Sequence, residues 1–253
     1  MENHGKVSIG RRIGNNDPEL TGYTTIVVLT PSTKWGMLGP YCLKNNEGHL
    51  MENIWQFAKV FGTELKSNKE YHWAHRCKKY AGVVIWEYDG GIHINDDGEL
   101  TDEYWLWRKK GMECQYPIRY PNGYKNKRNT LFTVKNKDNL KHLNYIDARK
   151  KIYLPVYCDL VKKHPKFAEL KSMLKTNNLL IIDIDGPHYE SIKYYKEKYN
   201  VSDDFITENH TINCDTNNMK ILLNDSKHSF GHGYCLALAL LDKENEINCN
   251  NTQ

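Results

Sequence analysis

The chain has 253 residues, 40% of them hydrophobic, and a formal net charge of +4. This apolar content is enough for a packed core and excludes a chain that is disordered throughout. The charge demands no nucleic-acid partner, and no apolar run approaches the roughly 20 residues that span a bilayer, so no membrane partner is predicted. The seven cysteines include no CxxC pair, and residues 1–20 are polar and charged, unlike a secretory signal. These features predict a reduced cytoplasmic protein.

The first half of the chain predicts strands separated by loops and helices. Residues 1–22 are rich in Gly and Asn and are predicted to form a loosely held tail. The β-branched run 23–31 and the apolar run 81–88 predict strands. Residues 102–111 predict a short helix that stops at Gly111.

The second half predicts a helical region, one clear strand and a buried helix. Apolar residues recur near the helical period from 143 to 175, and Pro165 marks a junction between two helices. Residues 178–185, NLLIIDID, give the clearest strand signal, whereas 231–243 predict a glycine loop that enters a buried helix. Residues 244–253 predict a frayed tail. With no repeat or long linker, the predicted fold is one helix-rich α+β domain with a small sheet.

Residues 50–61, LMENIWQFAKVF, predict a helix with a narrow polar face. At about 100° per residue, Glu52, Gln56 and Lys59 fall within roughly 60° of one another, and apolar residues cover most of the rest. Two interpretations are open: a thin solvent edge that carries a Glu–Lys pair, or a polar row that lines a pocket. Burying a carboxylate is costly unless it is paired or used, which is the physical reason to expect a site.

The E-x-x-x-Q-x-x-K order of this helix resembles the central helix of the NADAR superfamily, small N-glycosidases that act on ribosylated bases, including those of the riboflavin pathway, and on ADP-ribose derivatives. The preceding segment, WGMLGPYCLKNNEGH, keeps an aromatic residue at Tyr41 and a glycine at Gly48. It departs from the family where Leu38 and Gly39 replace a Ser-Asn pair.

The second half of the chain continues the resemblance. Residues 150–185 resemble the family's helix pair followed by a strand that ends in an acidic residue. Residues 228–241, HSFGHGYCLALALL, resemble its closing glycine loop and helix, with Phe230 in place of the usual Trp and no counterpart of the loop Asn. The whole chain also resembles a family found in large DNA viruses and phages, which would place it in the host cytoplasm and implies no activity.

The resemblance implies a NADAR-like domain that hydrolyses the N-glycosidic bond of a nucleotide or an ADP-ribosyl compound without a cofactor. Such a reaction passes through an oxocarbenium-like cation, so the site needs a carboxylate, for which Glu52 is the candidate. Gln56 would bind the sugar or base, and Lys59 would hold a phosphate or pair with Glu52. The aromatic residues that could form a wall for the base are Trp35, Tyr41 and Trp55, the last of which could equally belong to the core.

Asp183 and Asp185 lie on one face at the end of the predicted strand, because side chains alternate along it. Asp185 is the second catalytic candidate and Asp183 a substrate-binding one. The alternative is that the strand leaves the core there and the acids face water or cap the turn. The stretch also resembles the D-x-D-G-T motif of haloacid-dehalogenase-like phosphatases, with Pro187 instead of Thr. A phosphatase is therefore a less favoured alternative function.

Gly231 and Gly233 stand where the last helix is predicted to begin. Backbone N–H groups and the helix dipole suit an anion at such a place, and Phe230 and His232 would face the ligand. The alternative is a tight turn into a core helix.

Two further patterns concern binding: a possible set of zinc ligands and a basic loop that could contact nucleic acid. The segment HWAHRC offers His72, His75 and Cys77 as zinc ligands, with Cys114 as a fourth, but the spacing matches no standard finger and no metal is predicted. The basic loop 108–128 mixes Arg and Lys with aromatic residues, which suits nucleic acid as well as it suits solvated charge beside a core Trp. A non-catalytic nucleotide- or nucleic-acid-binding protein is therefore the competing function.

Overall fold

The computed structural model describes residues 5–29, 31–62, 91–122 and 129–248. The chain divides into two compact units, and the prediction of one domain stays a prediction. Unit 1 comprises Met1–Gly39 and Leu154–Gln253, and unit 2 comprises Pro40–Tyr153. The predicted strand 81–88 and the candidate zinc ligands His72, His75 and Cys77 lie outside the described residues.

Helices and short strands together make a mixed α+β fold, as the sequence predicts. The strands are β1 (Val7–Arg11), β2 (Tyr23–Val27), β3 (Lys59–Phe61), β4 (Thr130–Thr133), β5 (Asn178–Asp183) and β6 (Thr211–Asn213). The α-helices are α1 (Met51–Gln56), α2 (Asp102–Glu113), α3 (Tyr145–Ala148), α4 (Leu154–Lys162), α5 (Pro165–Leu174), α6 (Ile192–Tyr199), α7 (Thr216–Asn224), α8 (His232–Leu241) and α9 (Glu244–Asn248). In the part of the chain that the structure describes, no helix has the length and apolarity to cross a bilayer.

Unit 1 is built on a four-stranded sheet in the order β2-β5-β1-β6. β5 is parallel to both β2 and β1, and β6 is antiparallel to β1. Residues Leu179–Asp183 of β5 are all buried, which is typical of a parallel strand covered on both faces. The carboxyl ends of three parallel strands therefore lie at one edge, where α/β proteins commonly bind ligands.

The segment predicted to be a loose tail contributes a central strand. Val7 pairs with Leu179 in the parallel β1–β5 ladder, and β1 is buried from Val7 to Gly10. The prediction of a loose tail was wrong over β1 because composition is local, whereas the partner strand is far away in the sequence. The predicted frayed tail is also wrong as far as α9, where Ile247 is buried.

Two predicted helix features of unit 1 are confirmed. α8 is buried from Gly233 to Leu240, so it is apolar all round, as expected of a core helix. Pro165 is the first residue of α5, and the His164 side chain caps that helix by accepting a hydrogen bond from the Lys166 N–H at 3.2 Å.

Unit 2 places the predicted polar helix next to a small aromatic core. α1 is shorter than predicted, because it ends at Gln56 and the chain continues into β3, which pairs antiparallel with β4. α2 is confirmed but runs past Gly111 to Glu113. The buried residues of this core are Phe57, Val60, Phe61, Tyr104, Trp107, Ile118 and Val134.

Gly111 is inside α2 because its missing side chain admits the Phe57 ring. A Cβ at this position would lie 2.0 Å from Phe57 Cε1. Alanine normally stabilises a helix interior by roughly 0.5–1 kcal/mol relative to glycine, but here overlap with the ring opposes that gain. We expect Gly111→Ala to lower the free energy of unfolding by about 1–3 kcal/mol in urea titration.

Leu106→Ala is the matched control, because Leu106 is 48% exposed on the same helix. Its free energy of unfolding should change by less than about 0.5 kcal/mol. A Gly111→Ala protein as stable as the parent would show that Phe57 does not pack closely against α2.

Candidate functional site

The predicted site residues fall into two groups, one in each unit. In unit 2, Glu52 lies in the first turn of α1, where the helix dipole favours a carboxylate. The start of the helix is fixed by main-chain hydrogen bonds from the Met51 N–H to Leu43 O at 2.9 Å and from the Glu52 N–H to Pro40 O at 3.0 Å. Glu52 is 6% exposed and Gln56 9% exposed, so these two residues are not on a solvent edge, whereas Lys59 is half-buried.

Glu52, Gln56 and Lys59 form a hydrogen-bonded row, to which we refer as the polar row. The Gln56 Nε2 group donates to Glu52 Oε1 at 3.0 Å, and the Lys59 ammonium donates to Gln56 Oε1 at 2.6 Å. The amide is thereby oriented between an anion and a cation. The last step does not follow a helix, because Lys59 begins β3.

The pKa of Lys59 is unusually low for a lysine. Burial lowers the pKa of its ammonium to about 8, although the nearby Glu52 carboxylate acts in the opposite direction. The ammonium also lies 5.1 Å from the ring centroid of Trp55, within the range of a cation–π contact. Lys59 is therefore protonated at neutral pH and lies close to an aromatic face.

The aromatic residues predicted to form a wall have different surroundings. Trp55 is half-buried, and its ring centroid is 5.1 Å from that of Tyr153. Tyr41 is half-buried in the loop before α1. Trp35 belongs to unit 1, where it is 5% exposed with the Lys34 ammonium 4.4 Å from its ring centroid. Trp55 is therefore the aromatic residue that the structure joins to the polar row.

In unit 1, Asp183 ends β5 as a fully buried carboxylate. Its Oδ1 accepts hydrogen bonds from the N–H groups of Ile184 at 2.7 Å and Asp185 at 3.1 Å, and its Oδ2 accepts from the Gly233 N–H at 2.7 Å. Gly233 lies in the first turn of α8, so Asp183 is an anion at a helix N-terminus. The structure thus gives Asp183 a capping role instead of the predicted contact with substrate.

The two glycines of the loop allow this approach. A Cβ on Gly231 would lie 2.5 Å from Asp183 Oδ2 and 2.4 Å from Asp185 Oδ2. A Cβ on Gly233 would lie 2.7 Å from the same Asp183 oxygen. The contacts therefore favour the alternative of a tight turn into a core helix, in which the protein's own carboxylates occupy the place expected for an anionic ligand.

Asp185 is half-buried and has a different set of partners. Its Oδ1 accepts a hydrogen bond from the Ser229 hydroxyl at 2.6 Å, and its main-chain oxygen accepts from the Tyr234 hydroxyl at 3.4 Å. Burial, together with the carboxylates of Asp183 and Asp185, raises the pKa of Tyr234 well above its usual value. Asp185 is therefore the acid of the predicted pair that solvent reaches.

The side chains expected to face a ligand at the loop have protein partners. Phe230 is 5% exposed and its ring packs 5.0 Å from that of Tyr234, between centroids. His232 is half-buried, with Nε2 3.1 Å from Val28 O. Phe230 is thus part of the core of unit 1, and His232 holds the loop to the residue that follows β2.

A polar cavity of about 570 Å³ opens near the end of β1 in unit 1. Arg11 lines it and also donates a hydrogen bond to Gly186 O. Next to Arg11, Arg12 pairs with Asp17, with Nη2 2.6 Å from Oδ2. The other polar residues that line this cavity are Asn16, Asp17, Glu19, Glu208, Asn209 and His210. The sequence did not predict this cavity, because its lining comes from two distant segments.

His188, Glu190 and His210 are the group of possible metal ligands found among the described residues, with donor atoms within 4.8 Å of one another. The Tyr189 N–H donates to His210 Nδ1 at 3.1 Å. This bond places the proton of a neutral ring on Nε2, the reverse of a metal-ligating histidine that donates its other N–H to an acceptor. The group is therefore not arranged for a metal ion in this conformation.

The first residue of the predicted basic loop lies in α2 and is buried. Arg108 is 8% exposed and donates hydrogen bonds to Val134 O at 3.0 Å and to the Tyr104 hydroxyl at 3.2 Å. This guanidinium therefore serves the core of unit 2. Residues 123–128 of the loop lie outside the described part of the chain.

No protein-family model, curated protein or solved structure matches the chain. The resemblance to the NADAR superfamily thus stays a prediction, carried by the residues quoted for it.

Asp183→Asn tests the cap of α8. An amide cannot accept hydrogen bonds at both of its ends, so one of the N–H groups of Ile184, Asp185 or Gly233 must face an NH2 group. We expect the free energy of unfolding to fall by about 1–3 kcal/mol, the cost of a buried donor without an acceptor.

Asp185→Asn is the control for this change, because Asp185 is half-buried and its Oδ1 accepts from a hydroxyl that can rotate. It should cost less than about 1 kcal/mol. Equal losses of stability in urea titration would contradict the capping role of Asp183.

Because the pKa of Lys59 is lowered in the folded protein, the free energy of unfolding should vary with pH in the alkaline range. Between about 8 and the ordinary value of 10.5, the unfolded chain holds a proton at Lys59 that the folded chain has released. The free energy of unfolding should therefore rise with pH in this window, relative to Lys59→Met, which has no titrating group.

Chemical denaturation at pH 7 to 10.5 measures this difference between the two proteins. Lys44→Met, at an exposed lysine of the same unit, is the control. Parallel curves for the parent and Lys59→Met would show that Lys59 has an ordinary pKa in the folded protein.

Proposed function

We propose that the chain is an N-glycosidase that hydrolyses the N-glycosidic bond of a nucleotide or an ADP-ribosyl compound, with Glu52 as the catalytic carboxylate. The observation that supports this proposal is the polar row, a carboxylate held at 6% exposure with an amide and an ammonium in line. A protein gains little stability from burying such charges, which favours a chemical role.

The carboxylate matches the need of the reaction. As the bond between C1′ and the base nitrogen breaks, the base takes the bonding electrons and the ribosyl ring becomes cationic. Glu52 would stabilise that cation and accept a proton from the attacking water. The water oxygen then bonds to C1′. Glu52 passes the proton that it took from water to the departed base.

The other members of the row have donors suited to the rest of such a substrate. Gln56 uses Nε2 to orient Glu52, and its second N–H would donate to a ribose hydroxyl. Lys59 gives one hydrogen bond to Gln56, so its ammonium retains donors for a phosphate. The half-buried Trp55 beside Lys59 offers a face on which the base would stack.

Glu52→Gln is the direct test. Purified protein is incubated with nucleotides, NAD-derived compounds and ADP-ribosylated compounds, and released base is measured by liquid chromatography. We expect the substitution to lower the rate of base release at least about 100-fold. The melting temperature should change little, because the new amide oxygen can still accept from Gln56.

Glu47→Gln is the matched control, since Glu47 lies in the loop before α1 with a side chain 72% exposed. It should release base at the parent rate. Base release that survives Glu52→Gln, or a parent protein that binds these compounds and releases no base, would refute the proposal. The second result would instead favour a protein that only sequesters a nucleotide.

A further inference from the structure

Asp225 of unit 1 is a second fully buried carboxylate, and it lies directly after α7. Side-chain hydroxyls surround it, and their oxygens lie at hydrogen-bond distance from its carboxylate. These donors are the hydroxyls of Tyr194 at 2.5 Å, Tyr195 at 2.8 Å and Tyr199 at 3.2 Å. The main-chain N–H groups of Lys227 and His228 donate to it as well, at 3.3 and 3.1 Å.

These donors keep Asp225 ionised. Burial alone would raise the pKa of the carboxyl group, but hydrogen bonds from Tyr194, His228 and Tyr195 hold it well below its usual range. An ionised carboxylate has no proton to donate, so each neighbour must be the donor.

His228 is therefore held in one tautomer. Its Nδ1 lies 2.8 Å from Asp225 Oδ2, which requires the ring proton on Nδ1 and leaves the lone pair on Nε2. The ring also stacks on Tyr195, with centroids 5.3 Å apart and planes 24° apart. The tautomer follows from this hydrogen-bond network.

Ser191 lies at the basic nitrogen of that ring. Its Oγ is 3.2 Å from His228 Nε2, and the residue is half-buried at the end of the 3₁₀ turn Tyr189–Ser191. The Ser191 N–H donates to His188 O at 2.9 Å, which fixes the turn. A hydroxyl, an imidazole and a buried carboxylate thus form a continuous hydrogen-bonded chain.

We infer that Ser191, His228 and Asp225 form a nucleophilic site that hydrolyses carboxylic esters of polar, hydroxyl-bearing alcohols. Such sites are recognised by the serine–histidine–carboxylate geometry, whatever the fold or the sequence order. Serine and imidazole lie at the upper limit of the distance expected between a nucleophile and its base, and the third group orients the base. The inference is independent of the N-glycosidase proposal, because it uses none of the polar row.

The reaction proceeds in two balanced steps. Ser191 Oγ bonds to the carbonyl carbon while its proton moves to His228 Nε2, and the ester C–O bond then breaks as the alcohol leaves with that proton. Water next attacks the acyl-serine, giving one proton to His228, and the Ser191 oxygen recovers it as the carboxylic acid leaves. Asp225 holds the imidazolium but takes no proton.

The kind of alcohol is inferred from the polar cavity at the end of β1, which reaches the site through His210, since Ser191 and His228 do not themselves line it. His210 lines this cavity and accepts the hydrogen bond from the Tyr189 N–H, two residues before Ser191. Carboxylates and amides, among them Glu208 and Asn209, make up most of its polar lining. Such groups form hydrogen bonds with hydroxyls, and covering them with a fatty chain would leave them without partners at a cost in free energy.

A fluorophosphonate probe tests the nucleophile in the full chain. The probe bonds to an activated serine oxygen with loss of fluoride, and peptide mass spectrometry locates the adduct. We expect the parent protein to carry it on Ser191, and Ser191→Ala to lose it. His228→Gln should slow labelling about 10²- to 10⁴-fold, the usual contribution of a general base.

Ser202→Ala is the matched control, because the Ser202 hydroxyl donates to Asp204 and is not hydrogen-bonded to a histidine. In this variant the probe should label Ser191 at the parent rate. Circular dichroism of each variant establishes that the fold is kept. A parent protein with no adduct on Ser191, or labelling of Ser191 that is unchanged in His228→Gln, would overturn the inference.

The substrate class is tested with a sugar acetate and 4-nitrophenyl laurate as probes. Hydrolysis of the sugar acetate that depends on Ser191, and is at least tenfold faster than hydrolysis of the laurate, supports a polar alcohol. Preference for the laurate would refute that part of the inference, even if Ser191 is labelled.

Discussion

The fold of unit 1 depends on a carboxylate buried at the end of β5. Asp183 accepts a hydrogen bond from Gly233 in the first turn of α8, and its main-chain oxygen accepts from the N–H of Arg12, directly after β1. One residue thus joins a central strand to its neighbouring strand and to an apolar core helix. Gly231 and Gly233 follow from this arrangement, because a Cβ at either position would overlap the carboxylate.

Asp183 and Asp225 show how the same burial leads to different chemistry. Both are 0% exposed. Main-chain N–H groups surround Asp183, and such groups do not take part in proton transfer. The carboxylate of Asp183 therefore serves only to hold the strand end and the helix start in place. Tyrosine hydroxyls and the His228 imidazole donate to Asp225. Because His228 can accept and return a proton at Nε2 while Asp225 holds its Nδ1–H, the second anion can influence proton transfer.

The sequence predicts the features that are set locally. The apolar run of β5, the all-apolar α8 and the start of α5 at Pro165 follow from residues within each segment. β1 was missed because its pairing is a long-range property. The polar row was predicted from helical spacing, yet Lys59 reaches it from β3, so the grouping is confirmed and the local geometry is not.

The residues of the two proposed sites differ in the same way. Glu52 and Gln56 are one helical turn apart, and a pattern search detects such a pair. Ser191 and His228 are 37 residues apart in the sequence. The motif D-S-K-H at 225–228 is too short to predict a site by itself. It becomes informative only when the structure shows that tyrosines of α6 contact Asp225. A cap at Asp183 was one of two interpretations left open, because an acidic strand end also suits metal or acid–base chemistry.

The parallel pairing of β1 with β5 has a consequence for synthesis. The hydrogen bond from Lys6 to Asn178 joins residues 172 positions apart, so β1 leaves the ribosome long before its central partner exists. During that interval β1 and β2 have no β5 with which to pair. Non-local pairing of this kind slows folding and exposes strand edges to aggregation. Chaperones that protect nascent chains would therefore act mainly on β1 and β2.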